Sequence, residues 1–223
     1  MSEPVSSSVA AELIRIHLVI TRGLKVAAES SQSFAQQGFP DVSAKEGFIN
    51  YVRSLASTLH AHHLTEDDVA FPYFREKMLE APFDLLSAQH QAMVLLLNEI
   101  NSSIEPMELA SQVHEPLSNL HRTLTQIAEI WHPHIKMEED HFTPERVDAL
   151  INPEEQTRLC GLFIEHSQKH ARPDYLVVPF LLYNLPPQER AAFAQRLPPV
   201  VVQQLIPVLW KEKWETMKPF LLP

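Results

Sequence analysis

A four-residue step from histidine to glutamate occurs twice in this chain, 72 residues apart. The copies are His62-His63-Leu64-Thr65-Glu66 and His134-Ile135-Lys136-Met137-Glu138. Each is followed by more acid (Asp67 and Asp68; Glu139 and Asp140) and by a proline ten residues after its His, Pro72 and Pro144. On an α-helix four residues turn through about 400° and rise about 6 Å, so imidazole and carboxylate leave one face, one turn apart. One helix can thereby offer a nitrogen and an oxygen to a single metal centre. Twelve His and 21 Glu in 223 residues give about one such pair by chance. A third pair, His141 with Glu145, is read as accidental because Pro144 interrupts its helix. Position in the apolar pattern sets the other two apart.

Segments with apolar residues at helical 3-4 spacing predict helices with one buried stripe. The first stripe is Leu13, His17, Ile20, Leu24 and Ala27, flanked by charged Glu12, Arg15, Arg22, Lys25 and Glu29. The second is Phe48, Val52, Leu55, Leu59, His62, Glu66, Val69 and Tyr73. The third is Phe83, Leu86, His90, Met93, Leu97, Ile100 and Ile104, and the fourth Val113, Leu117, Leu120, Leu124, Ile127, Trp131, His134 and Glu138. Each is apolar except for a His, or a His and a Glu, inserted in phase. A buried ionised carboxylate must be paired or bound to metal, and one shared internal metal site accounts for all the insertions together.

The spacing also shows a repeat. His17 to His62 is 45 residues and His90 to His134 is 44, so the chain reads as two helical hairpins, each with a lone His and then a His-x-x-x-Glu. The first hairpin turns near Gly38-Phe39-Pro40, about midway, which brings both ligand sets to one height. Ser43 with Glu46 fits a capping box at the start of the second helix. Residues 105 to 115 read as a connection, with Pro116 in the first turn of the fourth helix. Pro133 lies within that helix directly before His134, crowds the carbonyl of Glu129, and predicts a kink or π-bulge beside the site.

The combined residues resemble the H–HxxxE–H–HxxxE pattern of hemerythrin-like proteins, the HHE cation-binding family, over roughly residues 9 to 147. The resemblance implies an all-α, up-down-up-down four-helix bundle around a non-haem centre of two iron ions with an oxo or hydroxo bridge. It implies Glu66 and Glu138 as bridges, His17 and His62 on one iron, and His90 and His134 on the other, with open positions for O2 or peroxide. Oxygen-carrying members have two His four residues apart on the third helix; here the residue four after His90 is Val94. That departure favours redox chemistry, sensing or iron handling over reversible O2 transport. Some relatives also use the residue after the second-helix His, which makes His63 a candidate additional ligand. His60, His132, His141, His166 and His170 read as surface or supporting groups. Asp67, Asp68, Glu139 and Asp140 read as a solvated acidic face from which one member could orient an imidazole. Trp131, Leu59 and Tyr73 read as core.

The net charge of −10 argues against nucleic acid or an anionic membrane as partner. No apolar run reaches membrane-span length, the polar start (Met1 to Ser8) is no signal peptide, and a single Cys160 fits a reducing cytoplasm. Residues 1–150 are expected to form the bundle and 151–223 an all-α C-terminal extension, acting as a lid or as a homodimer interface. Asn152-Pro153-Glu154-Glu155 signals a helix running to about His170; prolines then divide the chain, a helix restarts at Pro187, and Val200 to Lys218 is helical with a kink at Pro207. The functional expectation is a di-iron protein binding O2 or peroxide and carrying out redox chemistry, as an oxidase, an oxygenase or a peroxide-decomposing enzyme acting on a small molecule. The alternative is a non-enzymatic iron or oxygen sensor.

Overall fold

The computed structural model describes residues 8–109 and 113–223. In chain order the first part holds α1 (Val9–Gln37), α2 (Val42–Thr65), a π turn (Glu66–Ala70), the short α3 (Phe71–Phe74), α4 (Phe83–Leu109) and α5 (His114–His141). Helix α1 packs on α2 and α5, and α4 packs on the same two, closing an up-down-up-down four-helix bundle. No strand occurs among the described residues, and none of their helices is long and apolar enough to cross a membrane.

Local chemistry explains most boundaries. Helix α1 ends at Gly38, whose φ of 77° favours glycine and whose N–H donates to the carbonyl of Phe34. Asp41 caps α2, its carboxylate accepting from the Ala44 N–H at 2.7 Å. The expected capping role of Ser43 is therefore taken by the acid two residues earlier. The predicted connection over 105–115 is much shorter: α4 continues to Leu109 and α5 begins at His114, while residues 110–112 lie outside the described part. Pro106 sits inside α4 on its exposed side, where water can satisfy the carbonyl it frees. Pro133 is accommodated in the same way: α5 runs through it as α-helix, with Pro133 and Glu129 both exposed.

The π turn forms on α2 instead, immediately before Pro72. A proline there removes an N–H and pushes against the carbonyl four residues back, Asp68, and widened turns sit at such places. The Phe71 N–H reaches back five residues to the Glu66 carbonyl. This extra residue shifts the phase of everything after it. Val69 and Tyr73, expected inward, are only partly buried, and Phe71 and Phe74 are buried in their place.

Two apolar clusters fill the bundle. One takes α1 from Val19 onward, α2 from Phe48 to Leu59, α4 from Met93 to Met107 and α5 from Leu117 to Trp131. The other takes Val9 and Ala10, Phe71 and Phe74, Phe83 and Leu86, and Phe142. Between them, on all four long helices, lies a layer of buried His and Glu.

The remainder is helical: α6 (Pro144–Leu150), α7 (Pro153–His170), α8 (Asp174–Asn184), α9 (Pro187–Ala194), a π segment (Val201–Leu209), α10 (Lys211–Trp214) and a 3-10 segment (Glu215–Phe220). Asn152 caps α7 as anticipated, accepting from the Glu155 N–H at 2.9 Å. Pro179 lies within α8 rather than dividing the chain, and the expected long helix over 200–218 is three pieces of different winding. Phe180, Leu182, Ile206, Trp214, Met217 and Phe220 join the larger bundle cluster. Arg22 of α1 donates to the Phe220 carbonyl (2.9 Å) and to Asn184, which also accepts from the Tyr51 hydroxyl at 2.8 Å.

The closest approach is at Gly47, where an added Cβ would lie 1.9 Å from the carbonyl oxygen of Thr216. That contact is with backbone, so neither partner can swing aside. Gly47→Ala is expected to lower unfolding free energy by about 1–3 kcal/mol through overpacking, measured by urea or thermal unfolding of the full chain. A change within a few tenths would mean that the 3-10 segment is not held against α2.

Candidate metal centre

The sequence-predicted residues of the polar layer are brought together. Relative exposure is 2% for His17, 7% for His62, 1% for His63, 5% for Glu66, 1% for His90, and 0% for His134 and Glu138. Helix α1 supplies His17, α2 supplies His62 and His63, the start of the π turn supplies Glu66, α4 supplies His90, and α5 supplies His134 and Glu138. The His141–Glu145 pair does not form: α5 stops at His141, which bonds the Met137 carbonyl, and Glu145 is exposed on α6.

Potential donor atoms fall into overlapping groups, each with its atoms within 4.8 Å of one another: His17, His62, Glu66 and Glu138; Glu66, His90, His134 and Glu138; and His63, His90 and His134. Both carboxylates belong to both four-membered groups. The oxygens of Glu138 face opposite halves, Oε2 lying 3.2 Å from His17 Nε2 and Oε1 3.4 Å from His134 Nε2. Glu66 Oε2 lies 3.4 Å from the Nε2 atoms of both His62 and His90.

Many of these atoms lack a hydrogen-bond partner: Nε2 of His17, Nε2 of His62, both ring nitrogens of His63, Oε2 of Glu66 and both oxygens of Glu138. Buried unpaired groups cost about 1–3 kcal/mol each. His90 and His134 bring their Nε2 atoms within 3.1 Å, where two lone pairs repel unless a proton or a cation lies between them. A set of imidazole nitrogens and carboxylate oxygens converging without partners fits iron, and equally fits manganese or zinc.

Three Nδ1 atoms face acceptors outside the layer, bonded at His17 and His134 and in close approach at His90. His17 Nδ1 lies 2.8 Å from Glu139, His90 Nδ1 3.0 Å from Asp67, and His134 Nδ1 3.0 Å from the amide oxygen of Gln89. An acceptor there keeps the proton on Nδ1 and turns the Nε2 lone pair inward. Two members of the acidic face thus orient imidazoles, each on a different helix from its own, while Asp68 pairs with His166 and Asp140 with Lys136. Gln89 and Thr21, which accepts from Trp131 Nε1 at 2.9 Å, carried no sequence signal, because an isolated polar residue beside a stripe is commonplace. Trp131 stands edge-on to His17 (5.4 Å) and His62 (5.8 Å), and His63 stacks on His90 at 4.1 Å. Tyr73 is only partly buried and donates to Glu155 of α7 at 2.9 Å. Val94 lines a groove of about 340 Å³ between α2 and α4, together with Ala56, His60 and Leu97.

Four helices delivering His and Glu to one buried layer define a helical bundle with a candidate cation site. The family model of the hemerythrin HHE cation binding domain matches residues 8–145, and the chain belongs to that family. Comparisons with curated proteins and with solved structures gave no match.

Without metal the layer titrates unusually. Burial, reinforced by neighbouring imidazoles, holds His62 and His63 well below the usual imidazole range, and burial lowers His134 to about 4. Burial also lowers His17, but Glu138 and Glu139 outweigh it and raise that group. Burial and the facing charge of Glu138 push Glu66 well up. Burial would raise Glu138 too, but His17 and the other imidazoles hold it down. In unfolded chain the lowered imidazoles take up protons below about pH 6.5, while folded chain resists. Stability of the metal-free protein is thus expected to fall as pH drops below about 6.5, by roughly 1.4 kcal/mol per pH unit from His134 down to its value of about 4, with His62 and His63 acting in the same direction. Glu66, held above the usual carboxylate range in the fold, acts in the opposite direction and offsets part of this. Urea unfolding of metal-free protein at several pH values checks this; a flat or opposite profile would refute it.

Proposed function

We propose that this chain is a non-haem di-iron protein that carries out redox chemistry with O2 or a peroxide. His17 and His62 would hold one ion and His90 and His134 the other, with Glu66 and Glu138 shared between the two. The observation that carries this reading is the sharing of both carboxylates between the two donor groups, with the oxygens of Glu138 turned to opposite halves. A one-ion site would not need two groups of four donors overlapping at their acids. His63 is the seventh ligand of this proposal: both its ring nitrogens are buried and unpartnered, and it groups with His90 and His134.

When bound, an iron pair supplies electrons and coordination positions to a small oxidant. The chain's own part is to hold the donors, set their protons and exclude water. Glu139, Asp67 and Gln89 keep the Nδ1 proton on His17, His90 and His134, which makes each opposite nitrogen the donor. Trp131 and Leu59, both fully buried, wall the layer on the side of the larger apolar cluster. Oxidase, oxygenase and peroxide-decomposing activities are all compatible with this arrangement.

Aerobically purified protein is expected to carry about two irons per chain by elemental analysis, because two overlapping donor groups exist. Glu138→Ala should lower this to about one or fewer, since it removes a donor from both groups. His63→Ala should retain most of the iron with a changed optical spectrum. Full iron occupancy with an unchanged spectrum in Glu138→Ala would remove the di-iron reading. Reduced wild-type protein should consume O2 faster than the Glu138→Ala variant, as followed with an oxygen electrode.

A further inference from the structure

Glu66 opens the π turn that continues α2, and the grip on that turn comes from the C-terminal extension. Glu66, Asp67 and Asp68 are consecutive, yet each faces a different partner. Glu66 turns into the buried layer. Asp67 reaches α4, lying 3.0 Å from His90 Nδ1 and accepting from the Ser87 hydroxyl at 2.6 Å. Asp68 reaches α7, lying 3.2 Å from His166 Nε2. On the other side of Glu66, buried Thr65 donates its hydroxyl to the Ala61 carbonyl at 2.8 Å. With that proton committed, Thr65 Oγ1 accepts from His166 Nδ1 (3.1 Å) and from the Ser167 hydroxyl (2.9 Å). A single imidazole from α7 thus lies against both the residue before Glu66 and the residue two after it.

We propose that His166, with Ser167, is a positioning residue for the metal centre: by clamping Thr65 and Asp68, α7 fixes the π turn that aims Glu66 at both ions and Asp67 at His90. This rests on the di-iron reading above and extends it to the C-terminal part of the chain, which lies beyond the matched family segment. Backbone in a π turn lacks the regular ladder of an α-helix, so its side chains need outside support to keep a fixed direction. Removing a group that supports metal ligands from behind commonly weakens metal binding by about 10- to 100-fold.

The test uses metal-free full-length chain titrated with Co2+, followed by visible absorption, with far-UV circular dichroism as a check on folding. Wild type is expected to bind two equivalents. The double variant His166→Ala/Ser167→Ala should keep its helix content, bind the second equivalent at least about tenfold more weakly, and show a shifted visible band. His166→Asn, whose amide N–H can replace the Nδ1–H toward Thr65, should recover most of the affinity. Phe220→Ala loosens the extension far from α7 and should lower stability without moving the band. Wild-type affinity and spectrum in the double variant would overturn the proposal, as would an equal loss in Phe220→Ala. Should the double variant fail to fold, Asp68→Asn removes one contact at an exposed position; a second equivalent weakened severalfold supports the clamp, and an unchanged one refutes it. If wild type binds no Co2+ and no iron, the metal reading itself fails, which is a distinct result from an unaltered double variant.

Discussion

The structure depends on a polar layer that water does not reach. Imidazoles and carboxylates from every long helix meet between two apolar clusters, and several of their inward atoms have no partner of their own. At about 1–3 kcal/mol for each unpaired group, such a layer consumes much of the roughly 5–15 kcal/mol by which a folded domain exceeds its unfolded chain. The apolar clusters above and below carry that cost. Cations placed among the donors would reverse its sign, linking metal uptake to folding. The contacts of Glu139, Asp67 and Gln89 have a matching logic: they set an acceptor beside the outer nitrogen of His17, His90 and His134 and leave the inner nitrogen facing the layer.

The C-terminal extension is bound into this arrangement from two directions. At one end of the bundle, Gly47 lets the 3-10 segment lie directly on α2, and Arg22, Tyr51 and Asn184 join α1, α2 and α8 through buried polar contacts. Nearer the polar layer, α7 presents His166, Ser167 and Glu155 to the π turn and to Tyr73. The apolar residues that make the extension too hydrophobic for a loose tail are mostly the ones that enter the larger cluster, Phe180, Trp214 and Phe220 among them. Leu209, by contrast, stays largely exposed.

Much of the bundle is legible in the sequence because apolar period and inserted polar residues tell the same story on each helix. A His in phase with a stripe of Leu and Ile must be inside; that rule groups His17, His62, His90 and His134 without any knowledge of their neighbours. The family resemblance is matched by the family model over residues 8–145. What misleads is proline. Pro133 and Pro106 look disruptive in one dimension, but both fall on exposed helix faces where the freed carbonyl is cheaply solvated. Pro72 reads as punctuation after the motif and instead accompanies the widened turn. Cross-helix partners such as Gln89 with His134, or Asp67 with His90, depend on which faces meet, and no single-helix pattern records that.

The widened turn also works as a phase shifter. An α-helix advances about 100° per residue, so one additional residue between Glu66 and Phe71 rotates the following segment by about that angle relative to an unbroken helix. Phenyl rings then line the floor beneath the donors, Phe71 lying nearly parallel to His90 at 5.4 Å, and the phenol of Tyr73 is carried round to the outside. A chain wound at regular pitch through the same residues would bring that oxidisable ring toward the His and Glu layer; this one keeps inert hydrocarbon there.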